Sequence, residues 1–96
     1  MMSADPVLAA VDVLVSRKAS LRCEEVVALL EGLGFIVRDG KKQGHKVVTH
    51  PGLDDFLSTS FSCGHGRNPT IKAAYAVSLR RVLTMHADAL RDFLRR

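Results

Sequence analysis

The sequence contains no tryptophan, and aromatic residues make up only 5% of it, so a core must be built from Leu, Val and Ala. It has no apolar run of the length that crosses a bilayer, and no helical membrane anchor is expected. Met1 to Pro6 lacks a cationic stretch leading into an apolar block, so no secretory signal is expected. Cysteine is scarce. Cys23 and Cys63 do not make the disulfide framework of a small secreted scaffold, and they are expected to be reduced thiols in a cytoplasmic protein. There is no Walker-type glycine loop and no Ser-His-Asp order, and Asp54-Asp55 reads as a turn rather than a pair of catalytic carboxylates. Cys63 and His65 are legitimate zinc ligands, but no C-x-x-C or H-x-x-x-H pair accompanies them. A site would need His45 or His50 from across the fold, so neither a metal nor another cofactor is expected.

What is present fits one domain spanning residues 1–96, with 47% apolar and 25% charged residues. The formal charge of +4 favours polyanionic partners. That charge is uneven. Arg38, Lys41, Lys42 and Lys46 crowd one short stretch against Asp39 alone, while Lys72, Arg80, Arg81, Arg91, Arg95 and Arg96 supply the C-terminal segment.

Asp5-Pro6 marks a helix start, with Asp5 as N-cap and Pro6 in the first turn. Val7, Leu8, Val11, Leu14 and Val15 follow at helical spacing, and Ala19-Ser20 ends the helix. A second helix is expected from about Arg22 to Leu33, carrying Cys23, Val27, Leu30 and Leu33 on one face and closing at Gly34. The period then becomes strand-like: Phe35–Arg38, then His45–His50 after the polar turn Asp39–Gly44, then Phe56–Phe61. Cys63–Pro69 reads as a loop. The last segment is expected to be one long helix, with Tyr75, Leu79, Val82, His86, Leu90 and Phe93 along one face. The order ααβββα predicts an α+β fold in which helices cover one face of a three-stranded antiparallel sheet and leave the other partly open.

The histidines divide by position. His45 opens a strand beside lysines, where a neutral imidazole can take a proton from a ribose 2′-hydroxyl while cations stabilise the charge that builds on phosphate. His50 lies five residues on, so alternation puts it on the opposite face, shaping the strand end before Pro51. His65 sits in the glycine-rich loop, from which it could approach the site as a second residue. His86 falls on the apolar stripe of the last helix as a half-buried packing residue.

The runs Leu29-Leu30-Glu31-Gly32-Leu33-Gly34-Phe35 and Gly44-His45-Lys46-Val47-Val48-Thr49-His50-Pro51 together resemble HicA-type toxins. In that family a helix ends in Leu-Gly-Phe, a basic turn follows, and a Gly-Ser-His run leads to a strand ending in His-Pro. The resemblance covers roughly residues 20–85. It implies a family core at 20–96 with 1–19 as a helical addition, and a fold like that of a double-stranded-RNA-binding domain. It also implies an endoribonuclease that cleaves mRNA without a metal and is held inactive by a HicB-type antitoxin. The catalytic histidine of the family falls on His45, and Arg38, Lys41, Lys42, Lys46 and Lys72 would then hold RNA phosphates. Gly44 stands where the family has serine, Gln43 where it has glycine, and Val48 where an aromatic residue is common. Two other readings share the same residues: an RNA-binding module that does not cut, and a protein-interaction domain using the open sheet face.

Overall fold

The computed structural model describes residues 5–17, 20–64 and 66–96. The elements run α1 (Pro6–Ser16), α2 (Cys23–Gly32), β1 (Ile36–Asp39), β2 (His45–Thr49), β3 (Thr59–Ser62), α3 (Ala73–Met85) and α4 (Ala87–Arg95). The fold is α+β, with a three-stranded antiparallel sheet in the order β1-β2-β3. The expected break at Ala19-Ser20 lies partly outside the described residues.

Helix α1 starts where its residues say it should. The Asp5 carboxylate accepts from the Val7 and Leu8 N–H groups at 3.0 and 3.2 Å, satisfying two donors that the helix itself leaves unpaired. Val7, Ala10 and Leu14 are the buried face. The expected stripe is therefore rotated: Leu8 and Val15 are about half exposed, at 56% and 51%. In α2 the Glu25 carboxylate accepts from the Arg22 N–H at 3.0 Å and binds the Arg17 guanidinium at 2.7 Å, which fixes the approach to the helix. Val26 and Leu30 are fully buried, and Gly34 closes the helix with φ +92°, as expected.

The strands shift slightly from their expected bounds. β1 begins at Ile36, and Phe35 enters the core instead of the ladder. β3 begins at Thr59 rather than Phe56, because the Phe56 ring turns edge-on to Phe35 at 5.7 Å and to His86 at 5.5 Å. Opposed residues in the register share a face. Val37, Val48 and Thr59 align across the sheet, as do Asp39, Lys46 and Phe61. Val48 and Phe61 are fully buried among Val26, Leu30, Leu79 and Leu83 from the helices. The other face carries Arg38, Val47 and Ser60 in one row and Ile36 and Thr49 in another, with His45 opposite Ser62. Arg38, Ser60 and Ile36 are exposed there, so the helices cover one face only.

The single long C-terminal helix is corrected to two. His86 takes φ −107° and ψ 18°, outside helical values, and separates α3 from α4. Beyond the break Leu90 is fully buried and the Phe93 ring lies 4.7 Å from the His50 ring. Arg91 then reaches Asp5 at 3.0 Å and joins the last helix to the first.

The expectation of reduced thiols is also corrected. Cys23 at the start of α2 and Cys63 just after β3 form a disulfide, with Cα atoms 5.6 Å apart and 40 residues between them in sequence. Backbone pairing surrounds the bridge. Cys23 N–H donates to the Pro69 carbonyl at 2.8 Å and Ile71 N–H to the Leu21 carbonyl at 2.9 Å, so residues 69–71 are held against the start of α2. Closing a loop of this length restricts the unfolded chain by about 4 kcal/mol in the chain-entropy account.

Two predictions follow from these ties. Cys63→Ser lowers the melting temperature by roughly 10–25 °C, read by circular dichroism against the native chain without reductant. An unchanged midpoint would mean the bridge does not form in solution. Burial opposes the charge on Asp5, but the Leu8 and Val7 amides and the Arg91 guanidinium outweigh it and hold its carboxyl below the usual 3.8. The stabilisation from the ionised form is present above the unfolded value and lost as pH falls through the lower folded value. Asp5→Asn flattens the decline in melting temperature below about pH 4. An acid titration in which the two chains decline in parallel would assign that decline to other carboxylates.

Candidate nucleic-acid interface

The polar turn between β1 and β2 is closed by its own backbone. Gly40 N–H donates to the His45 carbonyl at 2.7 Å, and His45 N–H donates to the Lys42 carbonyl at 3.0 Å. Gly44 sits at φ +81°, and its carbonyl accepts from Cys63 N–H at 2.7 Å. A Cβ at position 44 would meet the Cys63 carbonyl oxygen at 2.7 Å, closer than packed atoms come. Glycine is therefore required by both backbone angle and space.

His45 opens β2 on the face without helices, opposite Ser62 of β3. Its ring lies against Gly40, leaving no room for a side chain there. A recess of about 520 Å³ is lined by Gly40, Lys41, Lys42, His45, Val47 and Ser62. Arg38 is exposed on the same face, opposite Val47. Strand alternation puts Arg38 and His45 on one open face, and Lys41 and Lys42 border it from the turn.

The same alternation removes Lys46 from that group. It follows His45 directly, so it lies on the other face, where its ammonium pairs with Asp39. Lys46 was expected to hold phosphate beside His45; it instead borders a second recess of about 420 Å³ with Asp39, Gly44 and the tip of the turn. Lys41 and Lys42 border both recesses. Lys72 is the exposed N-cap of α3 and borders neither.

The other histidines separate cleanly. His50 is 7% exposed, on the helix-covered side of the sheet as alternation required. Its Nδ1 accepts from Gly52 N–H at 3.0 Å, so Nε2 carries the proton and donates to the Leu33 carbonyl at 3.0 Å. Edge-on contacts with Phe35 and Phe93, each at 4.7 Å between centroids, complete its surroundings. Its role is structural. His86 is half-buried against Phe56, as expected, but it caps a helix junction instead of lying within a continuous helix. His65 lies outside the described residues.

Sequence reading missed Ser62 and Gly40 as partners of His45. The only signal for Ser62 was the strand register, which a sequence of uncertain strand bounds does not determine. Among the described residues no three His, Cys, Asp or Glu side chains gather as a metal site, and the Cys63 sulfur is bonded to Cys23. No described helix is long and apolar enough to cross a membrane. In comparisons with family models, curated proteins and solved structures, none matches this chain.

The two faces predict different consequences for neighbouring lysines. If this surface holds RNA, replacing Lys41 and Lys42 together with alanine weakens that binding and reduces the slope of log affinity against log salt by about 1.5. Lys46→Ala changes that slope by less than half as much, because its ammonium is already paired on the opposite face. Filter binding across a salt series reads both, and an equal loss in the two variants would contradict the division of the faces.

Proposed function

We propose that this chain is a metal-independent endoribonuclease of the HicA toxin kind, acting on mRNA and restrained by a HicB-type antitoxin. The observation that carries the reading is the position of His45: on the open sheet face, in one recess with Lys41 and Lys42. The order of α2, the sheet and α3 is that of a double-stranded-RNA-binding domain, with α1 and α4 as flanking helices, and this supports the same fold family. An mRNA substrate places the activity in the cytoplasm.

In this reading Lys41, Lys42 and Arg38 hold the phosphates that flank the scissile bond. His45 removes the proton of the 2′-hydroxyl, and the oxygen attacks the adjacent phosphorus. The bond to the 5′ oxygen breaks, and that oxygen takes a proton from water. The products are a 2′,3′-cyclic phosphate and a 5′-hydroxyl end. The lysines bear the negative charge that grows on the phosphate oxygens, which is where a fixed cation lowers the barrier. Ser62, opposite His45, is placed to accept or donate a hydrogen bond to the bound ribose.

Gly44 in place of the family serine and the diversion of Lys46 to Asp39 favour a second reading, in which the same surface grips RNA and does not cut.

Cleavage of a labelled RNA by purified protein in excess chelator separates these readings. The native chain is expected to cut, leaving cyclic phosphate ends. His45→Ala is expected to lose at least 100-fold in rate, with RNA affinity within a few fold of native. Equal cleavage by both would place the chemistry elsewhere. Binding without cleavage by either would leave the non-catalytic module.

A further inference from the structure

The Cys23–Cys63 bridge is bordered by a recess that the proposed RNA chemistry does not use. About 480 Å³ in volume, it lies between α2 and the end of β3, and its lining includes Glu24, Val27, Gly44, Pro69 and the two half-cystines. Both cysteines are buried at the edge of the core, each with 8% exposure, and both line this recess. The bridge is also mechanically close to the turn that presents His45. Cys63 N–H holds the Gly44 carbonyl at 2.7 Å, and Gly44 immediately precedes His45. On its other side, Cys63 pairs with Ile71, just before the cap of α3.

We propose that Cys23–Cys63 is a thiol–disulfide exchange site, open to a small dithiol through this recess, whose oxidation state sets the conformation of the Gly44–His45 turn. The substrate class is a dithiol and its cyclic disulfide. A thiolate of the incoming molecule attacks one sulfur of the bridge, the Cys23–Cys63 bond breaks, and a mixed disulfide forms. With Cys63 the sulfur attacked, Cys23 leaves as its thiolate. The departing sulfur takes a proton from water. The second thiol of the reagent then attacks the mixed disulfide and frees Cys63. Two electrons pass to the protein, which ends with two thiols, and the reagent leaves as its cyclic disulfide.

Without the bridge, Cys63 is held only by its backbone pairings to Gly44 and Ile71. The turn then loses its covalent tie to α2, while the pairing of His45 with Ser62 in the ladder remains. The proposal stands on the bridge and its recess, and it holds whether or not the chain cleaves RNA.

The test uses the full native chain and dithiothreitol at neutral pH without denaturant, following thiols by alkylation and mass. The reduction rate is expected to rise in proportion to dithiothreitol, doubling when its concentration doubles, and two alkyl groups are expected per chain. In the folded, reduced protein the amide resonances of Gly44, His45 and Cys63 are expected to shift, with His50 and Leu90 unmoved, and reoxidation restores them. Cys23→Ser, which leaves Cys63 alone, is expected to form a mixed disulfide with oxidised glutathione in its folded state. A rate that levels off as dithiothreitol rises would show that reduction waits for unfolding and would overturn the site. So would a reduced chain that is unfolded at 25 °C, or one whose Gly44 and His45 resonances stay in place.

Discussion

Cys63 is the point through which the arrangement of this domain is transmitted. Its sulfur joins the start of α2, its N–H holds Gly44 at the end of the basic turn, and its backbone pairs with Ile71 ahead of α3. Three segments that are distant in sequence therefore meet at one residue just beyond β3. The approach of Gly44 to Cys63 is so close that a side chain at position 44 is excluded, which in turn fixes where β2 begins. Once β2 begins at His45, the face of every residue that follows is set by the pleat.

From that starting point the sheet divides its chemistry. His45, Val47 and Thr49 face the side without helices, while Lys46, Val48 and His50 face the helices. Val48 and His50 are buried, and Lys46 satisfies its charge with Asp39 at the rim. One histidine therefore stands beside exposed lysines, and the other is locked between two phenylalanines with both nitrogens bonded. Identical side chains five residues apart have unlike roles because one shift of register exchanges the faces.

Much of this was legible in the residues. Asp5-Pro6 signalled the first helix by capping chemistry, Asp39-Gly40 marked the turn, and the opposite placement of His45 and His50 followed from their odd separation. The strand limits were less legible. Phe35 and Phe56 look like strand residues by type, yet both are taken by a small aromatic group with His86 that lies outside the ladder. The site was legible as a cluster of residue types but not as a surface: crowding in sequence suggested that Lys46 joined Lys41 and Lys42 beside His45, and the register separates it.

The sequence by itself determined the α+β class, the number of strands, the basic turn and the identity of the candidate base, because periodicity, caps and turn residues act within a few positions. Only the tertiary structure decided three things. The periodic last segment breaks at His86, since burial of Leu90 and the reach of Phe93 to His50 outweigh the continuity of a straight helix. Cys23 meets Cys63, because the end of β3 returns to the start of α2. Ser62, rather than Lys46, faces the same side as His45, because strand pairing brings together residues that no local pattern relates.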